Sequence, residues 1–116
     1  MHPFATVDLS GVRSWVDLDK VWSKALGFPD WYGQNRDAWL DIMSSLDEIG
    51  MTKRPFEGRG AILIQVQGAE VLADRHPEVL AELVALTAIT NQRYAHSQSG
   101  RALALIFEPS IVGGAA

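Results

Sequence analysis

Asp37 and Asp41 stand four residues apart in the stretch FPDWYGQNRDAWLD, residues 28–41, which also holds two tryptophans, a tyrosine and a third aspartate. Two carboxylates at that spacing could serve as general acid and base, could ligate a hard cation together with Glu48, or could meet the cations of another molecule. Acid–base work needs surroundings that drive two pKa values apart. Here both groups share one short helix, with no apolar wall between them and no histidine in the motif. A lone helix face carrying Asp37, Asp41 and Glu48 rarely supplies the roughly six or more oxygens that calcium takes. His2, His76 and His96 lack metal-ligand spacing, and no glycine-rich phosphate loop is present. No catalytic residue, metal site or cofactor is expected.

The third chemistry depends on where the helix points its residues. At about 100° per residue, Trp39, Ile42, Met43 and Leu46 gather on one side of a helix running from about Gln34 to Leu46. Asp37, Asp41, Ser44 and, if the helix reaches it, Glu48 gather opposite. A solvated polar face is the ordinary reading. A face selected only for stability would mix signs, however, because opposite charges at i, i+4 gain about 0.2–0.5 kcal/mol and like charges lose as much. Asp37 gains from the helix N-terminus; Asp41 lies beyond the turn over which that effect fades. Arg36, at the edge of the face, can pair with one carboxylate at most. Before the helix, Trp31 and Tyr32 lie beside Gly33, which is expected to take a backbone angle that other residues avoid. One of the two aromatics should enter the core and the other remain partly exposed near the acidic face. Aromatic anchors beside a few placed charges suit an interface. Pattern alone leaves a binding surface and a solvated face both open.

The rest of the chain has to position this helix. Its 116 residues suit one domain, 1–116, able to bury roughly 60–70% of the surface of its unfolded chain. There is no cysteine, which excludes a disulfide scaffold and fits a reducing compartment. No apolar run is long enough to span a membrane, and MHPFATVDLSG lacks the basic start and long apolar core of a signal peptide. The terminal segment 109–116 is expected to fray. A net charge of −4 argues against a general nucleic-acid binder and favours a basic partner.

Residues 4–8 alternate as a short strand. Ser14 can cap a first helix with Asp17 returning the cap, Leu18, Val21, Trp22 and Ala25 forming its apolar stripe, and Gly27 and Pro29 ending it. Residues 47–60 read as a polar loop and AILIQVQ, 61–67, as a strand buried along much of its length. A short helical turn follows at 69–74. Pro77 opens a long helix to about His96 whose apolar face holds Val79, Leu80, Leu83, Val84, Leu86 and Ala88. ALALIF, 102–107, is the last strand. Strands separated by helices predict an α/β domain with a small parallel sheet.

FPDWYGQNRDAWLDIM resembles the signature of the barstar family, a Pro-acidic-aromatic-Tyr-Gly turn followed by Asn, Asp-Ala, an aromatic and a second Asp. Pro29, Asp30, Trp31, Tyr32, Gly33, Asn35, Asp37, Ala38 and Asp41 all stand in register, and the order of elements agrees over nearly the whole chain. The resemblance implies a barstar-like α/β fold, a three-stranded parallel sheet packed with helices. It implies a cytoplasmic, non-enzymatic inhibitor, of the immunity or antitoxin kind, that plugs the active site of a basic ribonuclease or ribonuclease-type toxin domain. Neither nucleic acid nor a membrane is bound directly, and the free inhibitor is expected to be a monomer. In this reading Asp41 is the central mimic of RNA phosphate and Asp37 the second charged contact. Trp31 matches the aromatic that covers a catalytic histidine of the nuclease. Asn35 and Gly33 match contacts of the helix start and turn, and Leu40 and Ser44 match neighbouring contacts. The best-known member of the family carries a bulky aromatic at the place of Leu40; here it stands one residue earlier, at Trp39. The family's acidic contact before the last strand has no counterpart in NQRYAHSQSG, 91–100. The alternative is a barstar-like module that binds another basic protein or acts as a regulator.

Overall fold

Strand β1 (Ala5–Asp8) pairs in parallel with β2 (Gly60–Gln67), and β2 with β3 (Arg101–Glu108), in the order β1-β2-β3. Between them come α1 (Trp15–Leu26), α2 (Arg36–Met43), α3 (Ala69–Arg75) and α4 (Pro77–Ser97). This is the expected α/β sheet with its helical connections. The structure is a computed structural model and describes residues 2–58 and 60–109. Residues 110–116 of the tail expected to fray lie outside the described residues.

The register puts Val7, Ile62, Ile64, Val66 and Leu103 on one face of the sheet, where all are buried. Thr6, Gln65 and Glu108 share the other face, linked by hydrogen bonds from Thr6 Oγ1 to Gln65 Oε1 and from Gln65 Nε2 to Glu108. β2 is therefore buried at alternate positions, Ile62, Ile64 and Val66, with half-buried residues between them. Its apolar face meets the helices, and its glutamines lie on the face with the polar ladder. The edge strand β3 is tied down by Asn91 of α4, which donates to the Leu103 carbonyl at 2.9 Å and accepts from the Leu103 N–H at 2.6 Å.

Ser14 caps α1, accepting the Asp17 N–H at 3.3 Å, and the Asp17 carboxylate accepts the Arg13 N–H at 3.0 Å. Gly27, at φ +70°, ends the helix, and a Cβ there would fall 2.5 Å from that of Lys53, so only glycine fits. The buried stripe of α1 is Trp15, Leu18, Asp19, Trp22 and Leu26. Val21 and Ala25, expected within it, are exposed. The two tryptophans set the rotation, because Trp15 and Trp22 both pack on Trp39 of α2. In α4 the buried positions are Val79, Leu83, Leu86, Thr90 and Tyr94. Leu80 is half-buried, while Val84 and Ala88 are exposed.

Candidate functional site

The turn before α2 is built on Tyr32. Its N–H donates to the Pro29 carbonyl at 3.0 Å, and its ring meets Phe28 edge-on at 4.9 Å. The Tyr32 hydroxyl donates to Asp19 Oδ1 at 2.6 Å, inside the protein. Burial pushes the Asp19 carboxyl above its ordinary value near 3.8, and the hydrogen bond from Tyr32 partly offsets this. Burial and the neighbouring carboxylate push the Tyr32 phenol up as well. Trp31, next in the chain, is 68% exposed while Tyr32 is buried, so the two aromatics divide as expected.

Tyr32→Phe removes the donor from a buried carboxylate, and a buried group left without its partner costs about 1–3 kcal/mol. Urea unfolding at pH 7 should show a loss in that range. The raised Asp19 pKa also fixes a sign. Its contribution to stability is fully present below the unfolded value, near 3.8, and is lost as pH rises through the higher folded value. Asp19→Asn should flatten that part of the stability–pH curve, and an unchanged slope would remove Asp19 as its source.

Asn35 caps α2. Its Oδ1 accepts the Ala38 N–H at 2.8 Å and its Nδ2 donates to the Gly33 carbonyl at 3.3 Å. The left-handed residue of the turn is Gln34, at φ +53°, and Gly33 is not among the residues with positive φ. The backbone reverses one position later than expected, because the capping side chain of Asn35 reaches back over Gly33. A Cβ on Gly33 would sit 3.3 Å from Asn35 Nδ2, so the glycine serves close approach rather than an unusual angle.

Four side chains of α2 are buried: Trp39, Leu40, Ile42 and Met43. Leu40, matched by resemblance to a partner contact, is 6% exposed and belongs to the core. The helix is covered on two sides, by the α1 tryptophans and by α4, so its buried arc is wider than a single stripe. Tyr94 of α4 closes the far end. It is buried, donates to the Met43 carbonyl at 2.6 Å, and has its phenol pushed up to about 12 by burial. α2 ends at Met43, where the Ser44 hydroxyl donates to the Leu40 carbonyl at 2.5 Å and Ser44 is half-buried. Glu48 lies beyond the helix and does not extend its acidic face.

Asp37 and Asp41 both face outward, as the wheel requires, but they differ in partners. Asp37 has no ion-pair partner among the described residues. Asp41 has one, and it is not Arg36 at the edge of the face: its Oδ1 lies 2.9 Å from a terminal guanidinium nitrogen of Arg93 on α4. The two helices pack together, and that packing brings the residues into reach across 52 positions of sequence. Arg36 turns away from the acidic face. It pairs with Glu82 of α4 and lies 5.2 Å from the centre of the Trp15 ring.

The Arg93–Asp41 pair is solvent-exposed, and such pairs contribute about 0–1 kcal/mol. Asp41→Ala should therefore change the unfolding free energy by less than about 1 kcal/mol, and a larger loss in urea titration would make Asp41 structural. Sequence reasoning missed Arg93 and Asp19. The second was within reach, since Trp15, Asp19, Trp22 and Leu26 recur at i, i+4, i+7 and i+11 of one helix face. No local pattern pointed to the first.

Trp31, Gly33, Asn35 and Asp37 are thus brought together at the turn and first turn of α2, with Asp41 one turn on and Ser44 at the helix end. Among the described residues no group of three His, Cys, Asp or Glu is placed to hold a metal ion, and no helix is long and apolar enough to cross a membrane. No curated protein matches the chain. The family model for barstar, described as the barnase inhibitor, matches residues 2–108. That match takes in every strand and helix from β1 to β3 as well as the turn and acidic helix, and on it the chain belongs to the barstar family.

Proposed function

We propose that this protein inhibits a ribonuclease by seating the start of α2 and the preceding turn in the nuclease active site. Family membership supports a barnase-type ribonuclease as the class of target. The observation that carries the reading is the exposed Trp31 ring, 68% accessible, on the same turn-and-helix segment as Asp37, a carboxylate without an ion-pair partner among the described residues. A large aromatic left in water costs solubility, and a charge left unpaired stays hydrated. Both gain when a cationic, apolar-rimmed pocket closes over them.

In the complex, Asp37 and Asp41 take the place of RNA phosphates and accept hydrogen bonds from the enzyme's Arg, Lys or His groups. Trp31 covers the floor of the site. Asn35 and Gly33 present the helix start, and Ser44 borders the contact. The inhibitor forms and breaks no covalent bond. It works as a monomer in the cytoplasm, where a chain without cysteine has nothing to lose to reduction.

The test is capture on immobilised protein from the source organism, with the bound fraction eluted, separated from the immobilised protein and then assayed for cleavage of a fluorogenic RNA. Added free protein should suppress that cleavage in proportion to its amount. A captured fraction that cleaves no RNA, or whose cleavage the protein leaves untouched, would overturn the reading.

A further inference from the structure

α4 turns one face away from the rest of the protein, and the middle of that face is apolar. Val84 and Ile89 are 52% and 40% exposed, and Ala81, Ala85, Ala88 and Gln92 beside them are exposed as well. Residues 83–92 carry no charge at all. A solvated helix face is ordinarily charged or polar. α1 follows that rule, since its exposed Val16 and Val21 stand among Asp17, Lys20 and Lys24. Scattered exposed hydrophobics of that kind are normal on a surface, whereas a contiguous apolar patch marks a contact surface. On α4 the patch runs along about three helical turns.

The charges at the two ends of α4 point to the occupant. Glu78 and Glu82 precede the uncharged segment, and Arg93 and His96 follow it. We propose that the free protein forms a symmetric dimer through α4, each helix covering the outward face of an antiparallel second copy. A two-fold axis near Thr87 sets Glu78 opposite His96 of the second copy and Glu82 opposite its Arg93, and symmetry repeats both contacts. A parallel copy would instead set Glu78 against Glu78 and Arg93 against Arg93. The antiparallel order also brings the positive end of each helix dipole beside the negative end of the other. His96 serves in either protonation state, because imidazole keeps an N–H donor in both. Glu82 and Arg93 already pair with Arg36 and Asp41, but their side chains are 31% and 43% exposed and have surface left for a second contact. Alanine at 81, 85 and 88 lets the backbones approach, and Val84 and Ile89 fill the space between them. One helix face per subunit is smaller than the roughly 800 Å² per partner of a standard interface, so the dimer is weak and dissociates on dilution. The monomer expected of the free chain is its dilute form, and it is the form that docks on a nuclease. The dimer itself does not depend on the ribonuclease reading.

The experiment is sedimentation of the full chain at concentrations from about 1 μM to about 1 mM, where a weak interface passes from open to closed. The mean mass should rise toward twice the monomer mass across that range. Ala88→Lys sets two like charges beside the two-fold axis and should stay monomeric throughout. Its circular dichroism melt should match the wild type, because the position is exposed. Orientation is read with cysteine variants, each holding the only thiol of its chain. At a rise of about 1.5 Å per residue, Ala88 lies about 3 Å along the helix from its symmetry mate and Ala81 about 18 Å. A disulfide needs Cα atoms roughly 4.4–6.8 Å apart, so Ala88→Cys should cross-link on oxidation and Ala81→Cys should not. A wild type that stays at the monomer mass leaves the face to another occupant and overturns the dimer. Ala88→Lys that associates as the wild type does overturns it equally. So does failure of Ala88→Cys to cross-link, or cross-linking of Ala81→Cys as readily as Ala88→Cys.

Discussion

Trp39→Ala should lower the free energy of unfolding by about 3–5 kcal/mol, the range for truncating a core aromatic. The residue is fully buried, and its ring lies 5.9 Å from that of Trp15 and 5.5 Å from that of Trp22. Such aromatic pairs add about 0.5–1.5 kcal/mol beyond the area they bury. The Trp22 indole N–H is aimed at Met43 Sδ, 3.2 Å away, so the same cluster ties α1 to the middle and the C-terminal end of α2. Alanine would leave a hole between α1 and α2 where the Trp15 and Trp22 rings now pack. Urea titration should show a lower midpoint with little change in slope, the mark of lost stability rather than an altered unfolded state. Where the variant is still folded, it should keep much of its affinity for a ribonuclease. A stability loss below about 1 kcal/mol together with abolished binding would place Trp39 on the surface and α2 in another rotation.

Asp37→Ala should do the reverse. Affinity for the captured ribonuclease should fall by about 2–5 kcal/mol, the range for removing one partner of a buried, hydrogen-bonded charge pair at an interface. Much of that cost is the enzyme's cation left desolvated and alone. The change should appear chiefly in the dissociation rate. Folding should lose no more than about 1 kcal/mol, from a carboxylate removed from the first turn of α2. Asp41→Ala should cost less than Asp37→Ala in binding, since the wild-type Asp41 must first be released by Arg93. Equal losses, or a larger loss at Asp41, would show that the Arg93 pair is no obstacle in the complex.

The two variants separate the roles of one helix. Trp39 and Asp37 are two residues apart and nearly opposite on the wheel. One holds α2 to the three-tryptophan cluster, and the other stands where that cluster's rigidity puts it. The turn is supported in the same way. Tyr32 anchors it to the buried Asp19, and Trp31, its neighbour, is thereby held outward. In the proposed complex, a face built on such supports would lose little side-chain freedom on docking, which favours tight association.

The amino-acid sequence by itself determined the order and type of the elements, the outward set of Asp37 and Asp41, the burial of Trp39 and the division between Trp31 and Tyr32. Each rests on local rules: period 2 in strands, period 3.6 in helices, Ser14 and Gly27 at the ends of α1. A residue's position on a helix follows from counting, so the opposite faces of α2 could be read directly. Which members of a stripe are truly buried depends instead on what packs against it. Val21 and Ala25 fell outside the core and Asp19 within it because Trp15 and Trp22 turned α1 toward Trp39. Leu40 was buried because α2 is covered from two sides. Only the tertiary structure decided the charge of the outward face of α2. Arg93 meets Asp41, and Arg36 turns to Glu82, because α4 lies against α2. Residues so far apart in sequence share no local period, and their meeting is set by helix packing alone.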